Sequence, residues 1–226
     1  MTPLEVKPCS FEAAEYAVMN WHYSRSMPSG KLIKFGIWEN QKFIGSIIYG
    51  RGATKQLGDP YGLDQTEVCE LVRIALTNHQ IPVSQIVAKT IREIRKSNPG
   101  IRLIVSFADP EQNHHGGIYQ AGNWVYSGQS ISAPVFKIKG KIMHGRSVNA
   151  KYGTKRLSYL KENIDPMTEM IYKPGKHRYL YPLDKPMRRK IQSLVKPYPR
   201  GSSLKGETAD FQSARPGSIP GNRSNS

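Results

Sequence analysis

The sequence predicts an α/β fold with a central mixed sheet flanked by helices. Three observations carry that expectation. Residues 67–76 (EVCELVRIAL) and 101–108 are apolar runs of strand length. Between them Val83, Ile86, Val87, Thr90, Ile91 and Ile94 recur at three- and four-residue spacing, which predicts an amphipathic helix started by Pro82 and running to about Ser97. The 77–100 connection is long enough for a right-handed crossover to a parallel neighbour.

The other elements follow in order. Ser10 can cap a helix from Phe11 to about Asn20, with Ala14, Ala17 and Val18 on its apolar face. That helix runs into Trp21-His22-Tyr23-Ser24-Arg25-Ser26-Met27-Pro28, where Pro28, Ser29 and Gly30 stop regular structure. Residues 31–38 and 42–49 read as a hairpin across Glu39-Asn40-Gln41. Residues 51–65 form a glycine-bearing loop long enough to be functional. Glu67, Glu70 and Arg73 interrupt the 67–76 strand, so each must be paired or reach a polar site. Residues 117–121 make a short helix and 124–126 a further strand. Residues 158–163 are weakly helical, and 175–181 (GKHRYLY) form a basic strand with interleaved tyrosines. Asp184 caps a last helix reaching Val195. From Lys196 the composition turns to Pro, Gly, Ser, Asn and Arg, which predicts a disordered tail over 196–226. The expected organisation is one catalytic domain over 1–195, with a basic extension at about 130–195, followed by that tail.

Lys and Arg number 33 against 17 Asp and Glu, a formal charge of +16. Of the basic residues only Lys196, Arg200, Lys205, Arg215 and Arg223 fall in the tail, so the body itself is strongly basic. Such a body points to nucleic acid before a membrane surface. The 135–156 stretch carries Lys137, Lys139, Lys141, Arg146, Lys151, Lys155 and Arg156 with no acid, and Lys176 and Arg178 follow. These are the candidate phosphate contacts to DNA; the plain alternative is a solvated basic surface. Two cysteines, Cys9 and Cys69, are too few for a disulfide framework and fit a reducing, cytoplasmic setting. The sequence has no N-terminal apolar segment and no apolar stretch of ~18 residues, so neither export nor a membrane span is expected.

The densest chemistry lies in 109–124 (DPEQNHHGGIYQAGNW), directly after the 101–108 strand. Asp109 stands where a buried strand ends, the place where open α/β sheets bind ligands. His114, His115, two glycines and Tyr119 follow on a loop beside a rigid sheet, where functional groups concentrate. The plain alternative is a glycine-rich loop before a short helix, with Tyr119 a half-buried core aromatic.

The order helix, hairpin, long strand, helix, strand, short helix, strand resembles the layout of GNAT-type N-acyltransferases, as does the run GIYQAGNWVYSG over 117–128. In that layout the acyl-CoA arm lies between two splayed central strands. One departure stands out. Where such an enzyme has a glycine loop holding the pyrophosphate, this chain has Thr77-Asn78-His79-Gln80-Ile81-Pro82-Val83-Ser84, without glycine. At a finer level the chain resembles the Mom family of Mu-like bacteriophage DNA-modification proteins, which is GNAT-like and lacks that loop. The segments that carry this are 21–31 (WHYSRSMPSGK), 49–52 (YGRG), 63–73 (LDQTEVCELVR), 105–110 (VSFADP), 114–122 (HHGGIYQAG) and 175–183 (GKHRYLYPL).

The resemblance implies transfer of a carbamoylmethyl (methylcarbamoyl) group to N6 of adenine in double-stranded DNA. It implies protection of phage DNA from restriction, in the cytoplasm of a bacterial host, by a phage- or prophage-encoded protein. The group is bonded through its methylene carbon, which acid–base acyl transfer from acetyl-CoA does not produce. The donor is therefore acetyl-CoA with C–H activation, or another small donor; the first route calls for a redox metal, and iron is the metal the resemblance implies. His22, Tyr23, Asp109, His114, His115 and Tyr119 offer hard and borderline ligands for it.

The roles that follow are these. Tyr23 is a metal ligand or a proton donor, or else a packing tyrosine. His22 is a ligand or base, or a structural histidine. Arg73 anchors an anionic group of the donor or pairs with Asp109, a structural pair with Glu70 being the alternative. Asp109 is the base or a ligand. Tyr119 is the acid or a phenolate ligand. Because N6 is engaged in the base pair, the base must flip or be found unpaired, and Trp21, Tyr49 and Tyr61 are candidates to stack on it. Two other readings stay open on sequence alone: a conventional acetyl-CoA-dependent N-acetyltransferase, and a non-catalytic DNA-binding module on an acyltransferase scaffold.

Overall fold

The computed structural model describes residues 3–52, 54–132 and 134–199. The chain divides into two units, with the boundary between Arg102 and Leu103. In the first unit β1 (Leu4–Pro8), β2 (Leu32–Glu39), β3 (Lys42–Gly50) and β4 (Val68–Leu76) pair antiparallel in chain order. Asn40 and Gln41 join β2 to β3 with φ of 50° and 64°, the left-handed pair that a two-residue hairpin needs.

Two helices cover opposite faces of this sheet. Helix α1 (Phe11–Trp21) is capped by Ser10, whose Oγ accepts from the Ala13 N–H at 3.2 Å. It buries Ala14, Ala17 and Val18 against Ile48 and Ala75. Helix α2 (Val83–Ser97) buries Ile86, Val87, Thr90, Ile91 and Ile94. Adjacent strand residues point to opposite faces: Ile48 meets α1, while the Tyr49 hydroxyl shares a 2.6 Å hydrogen bond with Thr90 of α2. Gly45 (φ 142°) is where β3 leaves no room for a side chain against β4, since a Cβ there would lie 2.0 Å from the Ala75 carbonyl oxygen.

A bulge in β4 decides where Arg73 points. Ile48 faces Arg73 and Tyr49 faces Leu71, leaving Val72 as the extra residue. Val72 then joins the cluster under α1, and Arg73 lies opposite Ile48 on that face.

In the second unit β5 (Leu103–Ala108) leads through α3 (Gly117–Ala121) to β6 (Val125–Gln129). A small antiparallel sheet follows, in which β7 (Pro134–Ile138) pairs with both β8 (Lys141–His144) and β9 (Glu169–Tyr172). Helices α4 (Gly145–Tyr152) and α5 (Leu157–Asn163) supply Val148 and Leu160 to a core with Phe136 and Ile138. The acid-free basic stretch is thus a folded piece with its own apolar centre. Strand β10 (His177–Pro182) runs antiparallel to both β5 and β6 and lies between them. Helix α6 (Lys185–Lys190) is capped by Asp184, which accepts from the Met187 N–H at 2.6 Å.

The architecture is α/β, with the GNAT-like element order expected from the sequence. The expected disordered tail begins at Lys196, but Lys196 N–H donates to Tyr126 O at 2.9 Å and the Tyr198 hydroxyl to Trp124 O at 2.7 Å. The remainder of that expectation, 200–226, lies outside the described residues. No helix among the described residues is long and apolar enough to cross a membrane.

Candidate active site

At the end of β5 Asp109 caps a short 3-10 turn (Pro110–Gln112), accepting from the Glu111 N–H at 3.1 Å. Its carboxylate pairs with Lys176 Nζ at 2.8 Å, and next to it Glu111 pairs with Lys173, also at 2.8 Å. Burial pushes the Asp109 carboxyl up. The hydrogen bond and charge of Lys176 outweigh that, helped by the Glu111 amide and Lys173, and hold it below the usual carboxylate range. Asp109 is therefore ionised at neutral pH and a weak base.

Beyond the turn, Asn113 (φ 56°) and Gly116 (φ 82°) bend the chain back toward β10. A Cβ on Gly116 would lie 2.3 Å from the Tyr179 ring, so glycine is what permits the approach. The approach lets the Tyr179 hydroxyl donate to the His115 carbonyl at 2.6 Å. Gln120 Nε2 donates to the same carbonyl at 3.3 Å and to the Tyr179 oxygen at 3.2 Å. The Tyr119 oxygen accepts from Ser106 Oγ at 2.8 Å. Tyr179 is fully buried, and burial pushes its phenol up to about 12. It serves as a fixed donor.

One step along β10, His177 Nδ1 and the Tyr126 hydroxyl are 3.0 Å apart, and the His115 ring centroid lies 6.2 Å from that of His177. Burial, and then the charge of His115, hold the His177 imidazole below its ordinary 6.5. A neutral imidazole beside a phenol is an arrangement that can pass a proton.

In the first unit His22 ends α1, its backbone N–H on Val18 O. Its Nδ1 accepts from the Ser24 N–H at 3.1 Å and meets Ser24 Oγ at 2.8 Å, which leaves the ring proton on Nε2. The Tyr23 ring lies 4.3 Å from that of His22 and is 54% exposed. Arg73 donates from Nε to Ser26 O at 3.2 Å and from Nη1 to Val72 O at 2.8 Å. It thus braces the turn that carries Tyr23, while the partner of Asp109 is Lys176. Tyr49 and Tyr61, candidates to stack a base, are core residues at 0% and 3% exposure; Trp21 is half-buried against Tyr16 and Phe43.

Lys137, Lys139, Lys141, Arg146, Lys151, Lys155 and Arg156 are all exposed on the small sheet, α4 and the turn before α5. Lys176 is engaged by Asp109, and half-buried Arg178 donates to Ser127 Oγ at 2.9 Å. Sequence reasoning did not single out Ser106, Gln120, Tyr126, His177 or Tyr179. The alternation in His177-Arg178-Tyr179-Leu180-Tyr181 was the available signal, since it puts His177, Tyr179 and Tyr181 on one face of β10.

Residues expected to ligate iron are engaged within their own units. Asp109 is held by Lys176 and the Glu111 amide, Tyr119 by Ser106, and His22 Nδ1 by Ser24. Among the described residues no group of three or more His, Cys, Asp or Glu side chains could hold a metal ion. The cysteines do not supply a nucleophile either: burial, then Glu70, pushes the Cys69 thiol up to about 12, and burial raises Cys9. The turn that would receive a CoA pyrophosphate is also engaged, because the Gln80 and Ile81 N–H groups both donate to the Glu39 carboxylate.

The chain matches the Mom protein family over residues 3–200. It is 26% identical over 206 residues to "Methylcarbamoylase mom" of Escherichia phage Mu, covering 87% of this chain and 84% of that protein. Among solved structures, an N-acetyltransferase from Staphylococcus aureus Mu50 is similar with a TM-score of 0.45 at 16% identity, covering 80% of this chain and 98% of that one. FeeM, an N-acyl amino acid synthase from uncultured soil microbes, is similar with a TM-score of 0.47 at 10% identity, covering 84% and 95%.

Proposed function

Since the chain belongs to the Mom protein family, we propose that it is a DNA-modifying transferase that adds a carbamoylmethyl group to N6 of adenine in double-stranded DNA, protecting phage DNA from host restriction. The observation that carries this reading is the family match across residues 3–200, which includes every described residue. The relative in phage Mu, a methylcarbamoylase by name, supports the same group. The net charge of +16 and the exposed lysines and arginines of the small sheet, α4 and the turn before α5 support a polyanionic substrate.

Reaching N6 requires the adenine to leave the base stack, at a cost of a few kcal/mol that phosphate contacts offset. Lys137, Lys139, Lys141, Arg146, Lys151, Lys155 and Arg156 are proposed to make those contacts. Attack by N6 releases a proton, so the reaction needs an acceptor and a fixed donor. Asp109, ionised at neutral pH, is proposed to accept the proton that N6 loses, and Tyr119, fixed by Ser106 and Tyr179, to give a proton to the group that leaves the donor. The group donor is proposed to be a small molecule bearing a leaving group on the methylene carbon, since acid–base transfer from acetyl-CoA does not form that bond. The residues present do not fit iron, and no step is assigned to it.

The test is restriction of plasmid DNA from cells expressing the chain. Wild type should render sites containing adenine resistant, and Asp109→Ala should leave them cleavable. Cleavage of all such sites in cells holding folded wild-type protein counts against DNA as substrate.

A further inference from the structure

We propose that Glu39 closes the anion-binding turn at the N-terminus of α2, so that this chain seats no pyrophosphate there and takes its group donor without that contact. The turn 77–82 joins β4 to α2. It is fixed at its start by Thr77 N–H on Ile44 O at 2.9 Å and by the His79 ring, whose Nδ1 donates to Thr77 O at 2.7 Å. From there two consecutive amides point the same way. The Gln80 N–H reaches both Glu39 oxygens at 3.1 Å, and the Ile81 N–H reaches Oε1 at 2.9 Å.

Successive backbone N–H groups converging ahead of a helix are the arrangement that holds phosphate groups. Here α2 is 15 residues long, and Pro82 gives it no side-chain cap. The positive end of its dipole therefore favours an anion, and the carboxylate at the end of β2 supplies one. Glu39 is 8% exposed, and the Asn40-Gln41 turn fixes its position. A carboxylate taken so far out of water is stable only while its hydrogen bonds are made. An incoming diphosphate would have to displace those bonds and would meet a like charge. It would also meet the side chains of Gln80, Ile81 and Pro82, where close approach of phosphate to backbone favours glycine. The inference rests on this geometry and stands whichever group the chain transfers.

The test is the amide NMR spectrum of the full chain, with inorganic pyrophosphate and acetyl-CoA as probes. In wild type neither probe should move the Gln80 or Ile81 amide. In Glu39→Ala pyrophosphate should move both and bind more tightly by about tenfold or more, the scale of a freed charge-assisted hydrogen bond. Glu39→Gln removes the like charge but keeps one acceptor for the amides, and should show a smaller gain, which reads the proposal if the alanine variant does not fold. Acetyl-CoA binding that leaves both amides in place agrees with the proposal, since the diphosphate then lies elsewhere. Movement of these amides by acetyl-CoA in wild type overturns it. No gain in pyrophosphate binding by a folded Glu39 variant overturns it as well.

Discussion

Tyr179 lies against Tyr119 with ring centroids 4.9 Å apart and planes at 29°, and its hydroxyl holds the His115 carbonyl. One buried phenol thus ties together the loop after β5, helix α3 and strand β10. The two tyrosines should respond differently to loss of their hydroxyls. Tyr179→Phe removes the donor to His115 and the acceptor for Gln120, and should cost about 1–3 kcal/mol of stability. Tyr119→Phe loses the bond from Ser106, about 1 kcal/mol, yet should abolish DNA modification. Urea unfolding of both variants beside analysis of their DNA checks the split.

The Asp109–Lys176 pair should appear in acid stability. The folded carboxyl lies below its unfolded value, so the folded state gains stability above the ordinary carboxylate range. That gain disappears as pH falls through the folded value. Asp109→Asn or Lys176→Met should therefore flatten the acid limb of thermal stability and leave its shape near neutral pH unchanged. An acid limb identical to wild type in both variants contradicts the pairing.

His177 should act in the same direction but nearer neutrality. Burial and His115 lower its imidazole from 6.5, so below that pH the unfolded chain binds the proton more readily than the folded one. Stability should fall as pH drops from 6.5 toward the folded value, and His177→Gln should remove that fall. Calorimetric unfolding from neutral to mildly acidic pH measures it.

For the basic piece, Lys139→Glu with Lys141→Glu should weaken binding to duplex DNA. Each lost phosphate contact should reduce the slope of log affinity against log salt by about 0.9. Binding isotherms at several salt concentrations read the slope. An unchanged slope removes these two lysines from the interface.

Long periodic segments were legible in the sequence, and short polar ones were not. Ser10 capping α1, the 3–4 spacing of α2 and the GKHRYLY alternation each leave a local trace, and the observed elements lie within about two residues of those readings. Strands β1, β7, β8 and β9 span only four or five residues, too few for a period to show, and the apolar core beneath the basic stretch combines residues as far apart as Phe136 and Leu160. At the site, Asp109 and Tyr119 stand out because a strand end and a glycine loop flag them. Tyr179 gives no such sign, because its role comes from the strand pairing that sets it opposite Ser106. Glu39 read only as a hairpin residue, since its partners Gln80 and Ile81 are some forty positions away.

The most direct test of the central claim is mass spectrometry of nucleosides from DNA of cells expressing the wild-type chain or Asp109→Ala. The account predicts a deoxyadenosine carrying one carbamoylmethyl group, with fragment ions placing it on the base at N6, and its loss in Asp109→Ala. Unmodified deoxyadenosine in cells holding folded wild-type protein, or an acetyl group in its place, would contradict it.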